Sequence, residues 1–182
     1  MTFDAPAPEE AVMIPAWVDG ILVPVEKLEA HRRGLRHKAV SVFLMDGDRL
    51  LLQQRAAGKY HTPGLWANTC CTHPHWDEDG ADCATRRLVD ELGVSGVTLL
   101  PREAIEYRAE VGGGLVEHEV AEIFVGRCDG TLSIAPNPEE VQATRWVSLP
   151  DLMAEIERAP EIFTPWIRIY LGRHRDRIFG GT

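Results

Sequence analysis

The chain has 182 residues, 45% of them hydrophobic, and a formal net charge of −9 at pH 7. This length and apolar content predict one globular domain with enough material for a full core. Because acidic residues outnumber basic ones, we expect the protein to bind neither nucleic acid nor an anionic membrane. An anionic small-molecule substrate would have to be held by a local cluster of cations.

Cysteine usage and the first residues indicate a reducing compartment. The four cysteines form no CxxC pair and are too sparse for a disulfide scaffold. Residues 1–10 are acidic and contain proline, unlike a secretory signal, and we expect them to be disordered. No apolar stretch is long enough to cross a bilayer. We therefore expect a cytoplasmic protein, a monomer or weak homodimer, with a single domain over residues 11–182.

The first part of the chain predicts short strands separated by turns. Residues 11–17 and 21–25 predict strands around an Asp-Gly turn, and residues 27–33 predict a short helix closed by glycine. Residues 40–45 and 49–55 predict a hairpin, because the Asp-Gly-Asp sequence between them is a strong turn signal.

The rest of the chain predicts further strands and three longer helices. Residues 80–92 place apolar side chains in helical register, and Gly93 follows where a helix cap is expected. The remaining predicted elements are strands at 97–100, 105–111 and 116–128 and helices at 149–158 and 165–174. This order predicts an α/β (α+β) fold, in which helices flank a mixed β-sheet.

Chemically reactive side chains are concentrated around the predicted helix at 80–92. The helix is preceded by the run Asn68-Thr69-Cys70-Cys71-Thr72-His73-Pro74. The last turns of the helix carry Arg87 and Glu91. Residues four apart project from one helix face, so this cation and this carboxylate can both contact a magnesium diphosphate. Ordinary explanations also exist, since a cysteine is often a small buried hydrophobe and an Arg–Glu pair is often solvated.

Residues 72–94 resemble the Nudix box, G-x5-E-x7-R-E-U-x-E-E-x-G-U, in which U is aliphatic. The positions that fit are Glu78, Arg86, Leu88, Glu91, Gly93 and Val94. Thr72, Arg87 and Asp90 replace one glycine and two glutamates of that frame. The resemblance implies a Nudix-like fold whose helix carries metal-binding carboxylates. An arginine among them should weaken metal loading for hydrolysis and instead clamp diphosphate oxygens in a bidentate fork.

A wider set of motifs resembles the type I isopentenyl-diphosphate isomerases, a branch of the same superfamily. Residues 68–74 match Asn-x-x-Cys-x-His-Pro, and residues 117–119 match Glu-x-Glu. The other matching residues are His31, His37, Tyr107 and Phe163-Thr164-Pro165-Trp166. The resemblance implies interconversion of isopentenyl and dimethylallyl diphosphate through a carbocation-like intermediate, for isoprenoid biosynthesis.

The same resemblance implies a role for each site residue. Cys71 and Glu119 would transfer protons, with Tyr107 assisting Glu119, and Trp166 would face the cationic intermediate. A Mn²⁺, Mg²⁺ or Zn²⁺ site is expected at His31, His37, His73, Glu117 and Glu119. The diphosphate is expected at Lys27, Arg55, Lys59 and Arg87, with a Mg²⁺ held by Glu91. Outside the metal site we expect His61, His75 and His118, and we interpret Trp66 as a wall of the pocket.

Purely structural roles and two other functions stay open at this point. Cys71 can be a core thiol, Tyr107 a core aromatic, and Glu117 and Glu119 a solvated strand face. A Nudix diphosphohydrolase is favoured by the box and opposed by Arg87 and Cys71. A catalytically silent metal- or diphosphate-binding module would bind ligand without exchanging substrate hydrogens in heavy water.

Overall fold

The computed structural model describes residues 11–180, so residues 1–10, where the sequence predicts disorder, lie outside it, as do residues 181 and 182. The strands are β1 (Met13–Val18), β2 (Ile21–Glu26), β3 (Arg36–Asp46), β4 (Arg49–Arg55), β5 (Trp66–Ala67), β6 (Cys70–Thr72), β7 (Leu99–Pro101), β8 (Ile105–Gly112), β9 (Leu115–Arg127) and β10 (Val141–Ser148). The helices are α1 (Lys27–Arg32), α2 (Gly80–Leu92), α3 (Leu149–Arg158), α4 (Pro165–Arg173) and α5 (Arg175–Phe179). Each helix and strand predicted from the sequence is confirmed, with some ends shifted.

Four elements were not predicted, namely β5, β6, β10 and α5. In β10 the pairing with β4 shifts between Val141 and Ala143, and such a bulge interrupts the alternation of apolar and polar residues that identifies a strand. Strands β5 and β6 have only two and three residues. Segments this short generate no periodic pattern.

Strand β3 is the centre of a mixed sheet. It pairs in parallel with β9, from Arg36 opposite His118 to Met45 opposite Arg127. It pairs antiparallel with β4 and β6, and the β1–β2 hairpin joins it through Ala16 opposite His37. Strands β7 and β8 continue the sheet beyond β9, and β10 and β5 pair with β4. Among the strands of residues 11–180, this one parallel pair beside the antiparallel ones confirms the mixed sheet that was predicted.

Side chains of β3 alternate between two hydrophobic clusters on opposite faces of the sheet. Phe43 packs in one cluster with Tyr170 of α4, whereas its neighbours Val42 and Leu44 pack in the other with Leu88 of α2. Burying one such side chain contributes about 1.5–3 kcal/mol. Within residues 11–180, no helix combines the length and the apolar character that crossing a membrane requires.

Helix α2, which carries Arg87 and Glu91, has a capping residue at each end. The Asp79 side chain accepts a 2.9 Å hydrogen bond from the backbone N–H of Ala81 at the N-terminus. Gly93 adopts the left-handed conformation, φ 62°, that ends the helix. The resulting helix directs Arg87 and Glu91 toward β4 and β6, where a cleft opens.

Candidate active site

A cleft with about 500 Å³ of space, part of it open to solvent, lies between the sheet, α2 and the start of α4. The predicted site residues that line it are Lys27, Arg55, Lys59, Cys71, His73, Arg87, Glu91, Glu117, Glu119 and Trp166. The other predicted residues, His31, His37 and Tyr107, are buried directly behind Glu117 and Glu119. The structure therefore brings every predicted site residue to one place.

Three imidazoles and one carboxylate form a group that can hold a metal ion. The potential ligand atoms of His31, His37, His73 and Glu117 all lie within 4.8 Å of one another, and all four residues are buried. The Nε2 atoms of the three histidines lie 3.0, 3.3 and 3.7 Å from the same oxygen, Glu117 Oε2. This burial is inconsistent with a solvated strand face at Glu117.

The hydrogen bonds behind the histidines show why a cation fits here. His31 Nδ1 lies 2.6 Å from the Lys27 carbonyl oxygen, and His37 Nδ1 lies 2.7 Å from that of Leu35. A carbonyl only accepts, so both Nδ1 atoms donate, which directs both Nε2 atoms at Glu117 Oε2. An Nε2 atom without a proton is a metal ligand, and the mixed N and O set suits Mn²⁺, Mg²⁺ or Zn²⁺.

Glu119 lies at the edge of this group. Its Oε1 is 3.1 Å from His73 Nε2, and its Oε2 accepts a 2.7 Å hydrogen bond from the Tyr107 hydroxyl. Burial and the nearby charge of Glu117 raise the pKa of Glu119, whereas the histidines around Glu117 outweigh its burial and hold its pKa well below the ordinary value. The two glutamates therefore favour different protonation states, and Glu119 is the one suited to carry a proton.

Cys71 presents a neutral thiol to the cleft. Its S–H donates to Asn68 Oδ1 at 2.9 Å, and its sulfur lies 3.3 Å from Ser41 Oγ, which lies 2.9 Å from the Tyr170 hydroxyl. Burial raises the pKa of Cys71 to about 12. The neighbouring Cys70 instead faces the core on the α2 side, away from the cleft. Cys71 is thus the thiol of this pair that a substrate can reach.

Cations and aromatic rings alternate along the other side of the cleft. The Arg55 guanidinium lies 5.3 Å from the centre of the Trp166 ring, and Lys27 Nζ lies 5.4 Å from the centre of the Tyr60 ring. Burial and the positive charge of Lys59 lower the pKa of Lys27. Lys27, Arg55, Lys59 and Arg87 therefore repel one another. A bound polyanion such as a diphosphate would relieve this repulsion.

Arg87 and Glu91 are paired within the cleft rather than on a solvated helix face. Arg87 Nη2 donates to Glu91 Oε1 at 2.6 Å, and Gln53 donates to Glu91 Oε2 at 2.8 Å. Glu140 also faces these cations, because it pairs with Lys59 and lies 3.4 Å from Arg87 Nη2. Glu140 was missed in the sequence, where it stands in a loop with no motif around it.

Comparisons with known proteins place the chain within a family. A family model described as the NUDIX domain matches residues 35–167. A protein of Cereibacter sphaeroides named isopentenyl-diphosphate Delta-isomerase is 65% identical over 92% of this chain and 95% of its own length. A protein of the same name from Dinoroseobacter shibae is 61% identical over 92% of this chain and 96% of its own length. Another from Ruegeria pomeroyi is 57% identical over 93% of this chain and 94% of its own length.

The chain belongs to the isopentenyl-diphosphate Delta-isomerase family. Solved structures agree on its fold. The isomerase-family chain resembles DR0079 of Deinococcus radiodurans, with a TM-score of 0.70 at 16% identity over 88% of this chain and 98% of the other. It resembles a MutT NUDIX hydrolase of Burkholderia pseudomallei, with a TM-score of 0.58 at 21% identity over 76% and 98%. These likenesses confirm the Nudix-like fold.

In this isomerase-family chain, the matching positions of the Nudix box are divided between the cleft and the surface. Glu78 accepts two hydrogen bonds from Arg86, at 2.6 and 2.8 Å, and a third from the backbone N–H of His75. The pair with Arg86 lowers the pKa of Glu78 to about 2. Glu78 does not line the cleft, so its fit to the box is structural, whereas Glu91 faces the predicted substrate site.

One of the expectations about aromatic residues was wrong. His61, expected outside the metal site, is absent from the four residues that can hold a metal ion, although it lines the cleft and lies 2.9 Å from Glu117 Oε1. The wrong one concerns Trp66, which was expected to form a pocket wall but does not line the cleft, and whose ring centre lies 4.6 Å from the Arg145 guanidinium. His118 does face the opposite side of β9, toward Glu106, as predicted from strand alternation. Nothing in the sequence distinguished His61, because its loop position gives no periodic or motif signal.

Proposed function

We propose that this protein interconverts isopentenyl and dimethylallyl diphosphate, the activity after which its relatives are named. The observation that carries the proposal is that one cleft joins two proton-transferring groups, Cys71 and Glu119, to the cations Arg55, Lys59 and Arg87. The proton-transferring groups suit the alkene of the substrate, and the cations suit its diphosphate.

The chemistry requires protonation of an unactivated alkene and loss of a proton from a neighbouring carbon. We assign these transfers to Cys71 and to Glu119, with the Tyr107 hydroxyl holding the carboxyl of Glu119 in place. The Trp166 ring, which is 2% exposed, supplies an electron-rich face to the carbocation-like intermediate and helps to exclude water from it.

Metal ions are part of the proposal at two places. A Mn²⁺, Mg²⁺ or Zn²⁺ ion at His31, His37, His73 and Glu117, with Glu119 beside them, would supply fixed positive charge. Glu91 would hold a Mg²⁺ that accompanies the diphosphate, because its carboxylate keeps free lone pairs after accepting from Arg87 and Gln53.

We place this activity in the cytoplasm of the cell. All four cysteines of the chain are free thiols, as is usual in a reducing compartment. We expect the protein to be a monomer or a weak homodimer.

Proton NMR of isopentenyl diphosphate in heavy water, with Mg²⁺ and Mn²⁺ present, tests the proposal. The wild-type protein should produce the dimethylallyl isomer with incorporated deuterium, whereas Cys71→Ala and Glu119→Gln should each slow the reaction by about 10² to 10⁴. Cys128→Ala, which removes a half-buried thiol outside the cleft, should react at the wild-type rate. Release of phosphate or pyrophosphate without isomerisation would instead identify a hydrolase and contradict the proposal.

A further inference from the structure

His61 contacts the side of Glu117 that faces away from the three predicted histidine ligands. Its Nε2 lies 2.9 Å from Glu117 Oε1, whereas His31, His37 and His73 all approach Oε2. The His61 side chain is buried, so this contact is shielded from water. One carboxylate is therefore held at both of its oxygens by imidazoles.

The position of the ring proton on His61 follows from its neighbours. A carboxylate only accepts, so the 2.9 Å contact with Glu117 Oε1 assigns an N–H to His61 Nε2. On the other side of the ring, His61 Nδ1 lies 3.0 Å from the Thr62 hydroxyl, which can donate to it. The Nε2 lone pair is consequently absent, and His61 is a donor to Glu117 rather than a ligand.

The backbone next to His61 is strained in a way that fixes this arrangement. Thr62 has φ +47°, and for a β-branched residue this left-handed conformation is a genuine outlier. Such conformations persist only where the surroundings over-determine them, and they cluster at functional sites. The His61 ring also packs edge-on against Tyr60 and Trp166, at 4.4 and 5.8 Å between ring centres. The ring therefore has little freedom to leave Glu117.

We propose that His61 is a positioning residue that holds Glu117 Oε1, so that only Oε2 is presented to a metal ion bound by His31, His37 and His73. This inference rests on the proposed metal site. Outer partners of metal ligands typically change metal affinity by about 10–100-fold. Loss of the His61 N–H should therefore weaken metal binding without removing a ligand.

The test is titration of the metal-free full chain with Co²⁺, followed by visible absorption, which reports both affinity and the ligand set. His61→Ala should raise the Kd for Co²⁺ by about 10–100-fold. His61→Gln should recover most of the affinity, because its amide N–H can replace the donor, and its Co²⁺ spectrum should match that of the wild type. Thr62→Ala, which removes the hydroxyl that fixes the ring proton, should show a smaller loss. His75→Ala removes an exposed histidine and should bind as the wild type does.

Each other outcome overturns a defined statement. Wild-type affinity in His61→Ala, with normal Co²⁺ binding by the wild-type protein, overturns the role of His61 alone. A Co²⁺ spectrum that shows a lost imidazole ligand in His61→Ala, without recovery in His61→Gln, makes His61 a ligand and overturns positioning. A wild-type chain that binds no Co²⁺ overturns the metal site itself.

Discussion

Tyr107 and Glu119 stand directly opposite each other on β8 and β9, and the Tyr107 hydroxyl donates a 2.7 Å hydrogen bond to Glu119 Oε2. Burial and the charge of Glu119 raise the pKa of Tyr107 well above its ordinary value, so the phenol stays protonated and remains a donor. Strand pairing thus positions Tyr107 to orient one oxygen of the proposed proton-transferring carboxyl, while His73 contacts the other.

Tyr107→Phe should lower kcat by about 10–100-fold with little change in KM. The variant keeps the ring and removes only the hydrogen bond to Glu119, and bonds to charged groups contribute about 1.5–3 kcal/mol. Steady-state kinetics with isopentenyl diphosphate would measure the effect, and thermal unfolding would check that the variant is folded. An unchanged kcat with a raised KM would show that Tyr107 contributes to binding instead.

Arg87→Met should destabilise the protein by about 3 kcal/mol, because Glu91 is buried and loses its charged partner. The double variant Arg87→Met, Glu91→Gln should recover much of that loss, since a neutral amide in place of the carboxylate needs no cation. Urea unfolding of the wild type, both single variants and the double variant gives the coupling free energy. Additive losses would mean that Arg87 and Glu91 are not energetically paired.

The fold was largely predictable because its longest elements have local signals. The hairpin from β3 to β4 has an Asp-Gly-Asp turn, and α2 has apolar positions in helical register with Gly93 after them. Strand β10 was missed because its character depends on pairing with β4 around a bulge, which is a tertiary property.

The candidate site was predictable only where a motif had named its residues. His31 and His37 were expected from a resemblance, although the spacing of two histidines six apart predicts no metal site by itself. His61 and Glu140 were missed because each reaches the cleft from a loop, and loop geometry is determined by distant contacts. Glu117 and Glu119 could have been either site residues or a solvated strand face, and their burial distinguishes the two interpretations. That burial is a property of the folded structure and could not be read from the sequence.

Glu78→Gln should make the protein less sensitive to acid. The pKa of Glu78 is lowered from an ordinary 4.5 to about 2, chiefly by the hydrogen bonds from Arg86. A lowered pKa contributes stability above about pH 4.5 that is lost as the pH falls toward 2. The wild type should thus exceed Glu78→Gln in unfolding free energy by about 1 kcal/mol at pH 6, and the two should converge near pH 2. A difference that is constant over this pH range would contradict the ion pair as its source.

Glu140→Gln should bind diphosphate more tightly than the wild type. Burial alone would raise the pKa of Glu140, but the ion pair with Lys59 holds it below the ordinary value, so the carboxylate is charged at neutral pH. That charge lies against Lys59 and Arg87, the cations assigned to the substrate, and therefore competes with an incoming phosphate group.

Isothermal titration with magnesium pyrophosphate measures this competition. We expect the Kd of Glu140→Gln to fall several-fold, a gain of about 1 kcal/mol, since tenfold corresponds to about 1.4 kcal/mol. Glu139→Gln, which changes the same charge at the exposed neighbouring position, should bind as the wild type does. Weaker binding by Glu140→Gln alone would reverse the assignment, because Glu140 would then hold Lys59 and Arg87 in the geometry that captures the diphosphate rather than opposing it.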